Sequence, residues 1–524
     1  MEGERTRNFL KNAFTVALSA LAMRTVAVWF GAYVSGKIGK EGMGVYSLVM
    51  SVYGFAITLA TSGVHLAVTR TLSESLGKGD ISGAKNAMRH CLLYASLFGS
   101  LASGILLVFA RPIGVYFLRD IRTVAALRLL GVSMLPFALS TAMNGYFIAR
   151  RRVKYNAVCQ VLEQVVRITA IILLLAWAKP KGLAYITLAL VLGGVVSEMI
   201  CFLFMGIAYF LDFRKIQGGY SKKIQISSIK EVVSIASPVA FSAYIRSGLL
   251  TLEHAIIPVA IQKFGRSRGE ALADYGLLQG MALPIVLYPA ALLFAVAGLL
   301  VPEFAEHRAK REKTAILGLC KKVFGVTSAF GFGAMALLVT FSRELGILAY
   351  SSYEVGNYVF CLAFVLPVMF LDHVTDCALK GVGEQVWTMW VNIADAVVSI
   401  LFVLLLLPRM GIFGYVIVII LAELVNFAFS YGRLLYVTGH RPALPQNLFL
   451  PALSAGVAFL LTRFCLPMDA VSASLVWTVL RGVFCVSVYL FCYCFGRSFL
   501  CGKEEKRNTL FALPPPKKAQ KQEK

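Results

Sequence analysis

Acidic residues are scarce in this chain. Its 524 residues include 27 Asp and Glu against 51 Lys and Arg, and charged residues of all kinds make up only 15%. A soluble globular protein carries about a quarter charged residues, so a water-solvated surface of ordinary size is excluded. Long polar stretches are rare as well. Hydrophobic residues reach 58%, and apolar runs of about 20 residues, enough to cross a bilayer as a helix, recur along the chain. Signatures of catalysis are missing too. There is no glycine-rich phosphate loop with its lysine, no nucleophile elbow and no His/Cys group at ligand spacing. The eleven cysteines are scattered, mostly inside apolar runs; Cys492 and Cys494, two apart on a helix, point in different directions and read as small hydrophobes. Met1–Lys11 is charged, but the apolar stretch after it is too long for a secretory signal core and has no clear cleavage site. These absences lead us to expect an all-α integral membrane protein that is not an enzyme and holds no cofactor.

What the sequence does contain is a formal net charge of +24. Nucleic acid is not the expected partner, because the basic residues sit in short loops between apolar runs rather than in one stripe. Such loops are what hold cytoplasmic segments inside. Hydropathy divides the chain into about fourteen spans, near 9–35, 43–67, 88–110, 122–149, 156–178, 184–210, 229–262, 272–300, 316–340, 355–379, 386–407, 412–437, 447–466 and 473–497. Most Lys and Arg then fall on one side, with both termini cytoplasmic in a multi-pass protein of the cytoplasmic membrane. Arg150-Arg151-Arg152, Arg214–Lys230 and His307–Lys322 are the clearest inside loops. We expect a lobe over 1–212, a cytoplasmic linker over 213–228, a second lobe over 229–437, two additional helices over 438–497, and a basic disordered tail over 498–524. Membrane lipids are expected partners; oligomeric state is not readable.

The two lobes are repeats. Shifting the first half by 232 residues places Glu74 on Glu306, Arg111 on Arg343, Leu139 on Leu371 and Glu163 on Asp395. Two six-helix units in the same orientation follow, and a binding site is expected between them near mid-membrane. The first span carries a single charge, Arg24, on a face of small residues with Ala27 and Gly31. A charge at that depth is costly unless it faces water or a partner. Either it pairs with a carboxylate on another helix, or it meets an anion in a buried vestibule. Its repeat mate is Arg246 in the seventh span, with Glu253 seven residues on along the same face. Pro238, Pro258, Pro284 and Pro289 mark spans seven and eight as bent.

Further ionisable residues lie within spans. Glu163 and Arg167 stand four apart on one helical face and are expected to form a structural ion pair. In the second repeat these positions are Asp395 and Ser399, so Asp395 has no local cation. It would be protonated or hold one, with Asn392 on nearly the same face and Glu253 able to approach. Asp372, Asp376, Glu198 and Glu423 are alternatives. His65 and His254 read as packing residues.

Several segments resemble a known family. They are Gly42-Met43-Gly44-Val45-Tyr46, the run Ser62-Gly63-Val64-His65 through Glu74, Gln160-Val161-Leu162-Glu163 through Arg167, and Leu300-Val301-Pro302-Glu303 to Glu306. Together they look like the stage V sporulation protein B and polysaccharide-flippase branch of the multidrug/oligosaccharidyl-lipid/polysaccharide exporter superfamily. The resemblance runs from about residue 9 to 437. It implies a V-shaped pair of six-helix lobes, alternating access, and a lipid-linked saccharide carried between leaflets. Arg24 would match a cavity arginine of the related lipid II flippases. The arginines those flippases carry in helices two and eight are absent; Gln279 is the nearest counterpart in span eight. The resemblance also implies a sodium site with Asn392, Asp395 and Glu253 as ligands, so sodium or proton coupling is expected.

The reading is therefore a flippase for a polyprenyl-pyrophosphate-linked oligosaccharide or peptidoglycan precursor, with Arg24 and Arg246 taking the pyrophosphate and Glu253 holding Arg246 between cycles. A multidrug antiporter of the same superfamily is the first alternative, although two cavity arginines would repel organic cations. A glycan-polymerising enzyme would need a large external loop with catalytic residues, and the expected external loops are short. A non-transporting protein of sporulation or wall assembly is the remaining alternative.

Overall fold

The computed structural model describes residues 2–77, 80–152, 154–178, 180, 182–214, 229–297, 300–439, 445–466 and 475–510, and no strand occurs among them. Helix α1 (Glu2–Thr61) holds the first two expected spans as two arms joined at Gly39, whose φ of 72° lies where a side chain is strained. A turn at Gly63 leads into α2 (Val64–Gly77). Helix α3 (Ile81–Pro112) starts where Asp80 Oδ1 accepts from the Gly83 N–H at 2.8 Å, satisfying an otherwise orphan helix donor. α4 (Thr123–Ala149), α5 (Lys154–Ala178) and α6 (Leu183–Arg214) complete the first lobe.

The second lobe begins with α7 (Ile229–Lys263). The eighth span is broken. α8 (Arg268–Tyr275) passes through a π-helical turn at Gly276–Ala282 into the single turn α9 (Leu283–Val286), then α10 (Ala290–Ala297). Pro284 sits in the first turn of α9, where its missing N–H costs nothing, and Pro289 precedes α10. α11 (Leu300–Ala309) leads to α12 (Lys313–Tyr350). The tenth span is α13 (Tyr353–Ala363) and α14 (Leu366–Gly381), bent by 53° ahead of Pro367. α15 (Gln385–Met410) and α16 (Ile412–Thr438) close the lobe. The additional pair is α17 (Leu450–Cys465) and α18 (Leu475–Leu510), which packs on α12.

Among the described residues, ten helices are long and apolar enough to cross a membrane, or eleven with α13 and α14 taken as one span. The expected fourteen is not reached on that measure. α1 counts once although it has two arms, the eighth span is split into short pieces, and α7 is diluted by Ser242, Arg246, Ser247 and Glu253. The expected tail also changes: α18 runs on to Leu510 through Lys503-Glu504-Glu505-Lys506-Arg507, all good helix formers. Linker residues 215–228 and tail residues 511–524 lie outside the described residues.

Small residues let helices approach within each lobe. A Cβ on Gly99 would lie 2.8 Å from Ala138, and one on Gly331 would lie 2.9 Å from Pro367. The lobes themselves meet where α1 packs on α7, α8 and α10. Near the Gly39 bend the backbones touch: a Cβ on Gly44 would lie 2.0 Å from the Leu272 carbonyl oxygen, and one on Gly276 would lie 2.3 Å from that of Lys40. Lys40 donates to Glu354 of α13, and Arg268 Nη2 donates to the Leu118 carbonyl at 2.6 Å. This end of the interface is shut. Behind it, the Arg122 guanidinium donates three times to Asp120, at 2.9, 3.1 and 2.6 Å, and once to Glu41 at 2.7 Å. Those bonds, chiefly to Asp120, hold its guanidinium pKa above the ordinary value.

Candidate functional site

Arg246 lines a cavity of about 670 Å³ between the lobes. Thr58 of α1 forms one side; Ser242, Ser247, Lys380 and Asn392, from α7, α14 and α15, form the other. Arg246 is exposed into this space and has no ion pair among the described residues. The cavity thus carries two cations, Arg246 and Lys380, on a rim of hydroxyls and amides. Lys380 reaches Asp376 at 3.7 Å, four residues earlier on α14. The opposite arm of α1 is fixed against α7 by Thr251 Oγ1 donating to the Ser51 carbonyl at 3.1 Å and Tyr244 to that of Leu59 at 3.3 Å.

Glu253 does not hold Arg246, as the sequence led us to expect. It is buried two turns further along α7 and accepts from Ser399 Oγ of α15 at 2.7 Å. Seven residues are two helical turns, about 10 Å along the axis, too far for the pairing. Arg246 instead acts electrostatically on Asp372, Asp395 and Glu423. Asn392 is likewise engaged elsewhere: its amide nitrogen donates to Asp376 at 3.3 Å and to the Thr388 carbonyl at 2.6 Å. Asp376 also accepts from Ser430 at 3.4 Å, and Asp372 accepts from Asn426 at 3.3 Å. Asp395, Asp372 and Asn426 each have a buried Oδ1 without a hydrogen-bond partner, and such oxygens suit a proton or a hard cation. No group of three or more His, Cys, Asp or Glu among the described residues could hold a metal ion.

Arg24 lies apart from the Arg246 cavity and is not among its lining residues. Its Nε is buried without a partner, and so is the Tyr350 hydroxyl. Tyr350 stands near Gly31, where a Cβ would lie 3.6 Å from its oxygen. The neighbouring Thr25 Oγ1 hydrogen-bonds Tyr288 OH at 2.8 Å, tying α1 to the broken eighth span. One turn back, Leu21 joins Tyr288, Phe330, Leu337 and Tyr489 around an apolar groove of about 650 Å³ between α1, α12 and α18. Arg24 therefore sits at a lateral seam beside that groove. Gln279 lies in the π turn with its Oε1 buried and unpartnered.

In the first lobe Arg167 donates to Glu163, as the spacing on α5 required. Glu198 of α6, equivalent to Glu423, accepts from Tyr53. His254 faces Tyr275 OH at 3.1 Å, a packing role. Two arrangements escaped sequence reasoning. Arg481 of α18 is 4% exposed and donates to Glu344 Oε1 of α12 at 2.8 Å; a lone span charge could have signalled a distant carboxylate, but not which. Asp212 is held by Tyr146 OH at 2.9 Å and by Arg152; the Arg150–Arg152 run was the available signal.

Two lobes of membrane helices around a cavity that holds Arg246 and Lys380 define a multi-pass membrane protein with the fold of the MOP-superfamily transporters. An inward-facing MATE family multidrug resistance transporter of that superfamily superposes with a TM-score of 0.63 at 17% identity, covering 82% of this chain and 100% of that one. The lipid II flippase MurJ in its inward closed conformation gives 0.65 at 12% identity, covering 94% and 99%. Residues 9–307 match the family described as "Polysaccharide biosynthesis protein", and the chain belongs to it. Among curated relatives, stage V sporulation protein B of Bacillus subtilis (strain 168) is 22% identical over 79% of this chain and 81% of its own length. Sporulation protein YkvU of the same organism is 20% identical over 75% and 86%.

Proposed function

We propose that the protein is a flippase that carries a polyprenyl-pyrophosphate-linked oligosaccharide or peptidoglycan precursor across the cytoplasmic membrane by alternating access, with both termini cytoplasmic. The observation that carries this reading is Arg246, an exposed guanidinium without an ion pair among the described residues, inside a cavity between two lobes. A pyrophosphate needs charge-assisted donors in a planar fork, which arginine supplies. Lys380 adds a second cation, and Ser242, Ser247 and Asn392 suit sugar hydroxyls. The polyprenyl chain is given a path by the apolar groove that opens beside Arg24, so Arg24 guards the seam by which a headgroup passes from lipid into the interior. In this orientation the shut end of the interface faces outward. Coupling to sodium or protons is assigned to Asp395, with Asn392, Glu253 and the adjoining carboxylates as its neighbours.

A cationic-drug antiporter would have to load its substrate beside Arg246 and Lys380, both of the wrong sign. The deciding experiment follows a fluorescent polyprenyl-pyrophosphate sugar in proteoliposomes. Wild type flips it, and Arg24→Ala and Arg246→Ala lower the rate at least tenfold, about 1.4 kcal/mol each. Equal flipping in both variants overturns the arginine roles, and efflux of a cationic dye without lipid flipping favours the antiporter.

A further inference from the structure

A third cavity, of about 530 Å³, lies at the end of the bundle where α12 and α17 stop and α18 starts. Its polar lining is Ser342, Arg343, Glu344, Asn357, Arg463 and Arg481. Three arginines against one glutamate leave a net charge of +2 in this space. Arg481 is already committed: its Nη1 bonds Glu344, its guanidinium lies over the Phe341 ring at 5.3 Å from the centroid, and its Nε is buried without a partner. Arg343 and Arg463 are exposed, and neither has an ion pair among the described residues. They come from different elements, α12 and α17, so the charge is assembled by packing the additional helix pair onto the lobe. The apolar part of the lining includes Phe360, 40% exposed, and Phe459, and the neighbour of Arg463 on α17, Phe464, is 90% exposed. Surface of that kind at a helix end in a membrane is covered by acyl chains.

Cationic forks over an acyl-covered rim select an amphiphile with a phosphate at the headgroup level. We infer that this cavity binds the headgroup phosphate of an anionic bilayer phospholipid, with Arg343 and Arg463 as its donors and the Arg481–Glu344 pair as the fixed floor. The site is separate from the Arg246 cavity and shares no lining residue with it. A lipid there would bridge α12 to α17 and clamp the additional pair.

Native mass spectrometry of the detergent-purified full chain tests this with phosphatidylglycerol, phosphatidylcholine and inorganic pyrophosphate as probes. Wild type is expected to bind phosphatidylglycerol about tenfold more tightly than phosphatidylcholine. The Arg343→Ala/Arg463→Ala variant, whose changes are confined to exposed side chains, loses that preference while keeping its melting temperature. Arg246→Ala keeps the preference, which separates this site from the transport cavity. Equal binding of the two lipids by wild type, or a preference that survives in the double variant, overturns the inference. Arginine-dependent binding of pyrophosphate with no preference between the lipids also overturns it and assigns the cavity to a free anion.

Discussion

Lys40, the residue after the bend in α1, donates to Glu354 in the first turn of α13, so one ion pair joins the two lobes at the shut end of their interface. Both side chains are substantially exposed, 43% and 59%, and such a pair contributes about 0–1 kcal/mol. Lys40→Ala therefore shifts the balance between closed and open states by no more than about fivefold. A covalent link at the same place has a larger effect. The Lys40→Cys/Glu354→Cys variant should form a disulfide under oxidation, stop flipping, and recover on reduction. Flipping that continues with the link formed would show that this end need not open.

Gly44 and Gly276 make the same point through sterics. A methyl group on Gly44 would meet the Leu272 carbonyl oxygen at 2.0 Å, and one on Gly276 would meet that of Lys40 at 2.3 Å. Backbone cannot yield cheaply at such distances, so Gly44→Val should hold the lobes apart at this end. The expected result is lost transport at normal expression, with a cysteine placed beside the seam becoming reactive to a membrane-impermeant maleimide. Unchanged reactivity would refute the closure.

Arg481 and Glu344 form a buried pair whose halves depend on each other. Removing one partner leaves an uncompensated charge, so Arg481→Ala and Glu344→Ala should each destabilise by about 3–5 kcal/mol. Replacing both by Leu should recover most of that loss. Thermal unfolding in detergent, read as a double-mutant cycle, measures the coupling directly.

Asp395 is the residue on which ion coupling is expected to turn. Asp395→Asn should abolish the sodium or pH dependence of flipping, while Glu163→Gln, in a pair already internally neutralised by Arg167, should leave it. Ion dependence that survives Asp395→Asn would move the coupling role to Asp372, Asp376 or Glu423.

Much of the architecture was legible in the sequence, because lipid forces each span to be apolar and helical and the repeat revealed the two lobes. The Glu163–Arg167 pair was legible for the same reason: both partners sit on one helix. Contacts between helices were not. Nothing in the spacing of Glu253 shows that Ser399, 146 residues away, satisfies it, or that Asn392 turns to Asp376. Arg24 and Arg246 occupy equivalent helices, yet only Arg246 lines the inter-lobe cavity. The lobes are related by sequence but differ in their surroundings: the eighth span beside Arg24 is broken, whereas its repeat mate beside Arg246, the second arm of α1, is a continuous helix.

The additional helices α17 and α18 are fastened to α12, and hence to the second lobe, while Leu21 of the first lobe forms the facing wall of the apolar groove. Any rocking of one lobe against the other must change the width of that groove. A chain lying in it would be squeezed or released once per cycle, so the thickness and unsaturation of the surrounding bilayer become a mechanical load on transport.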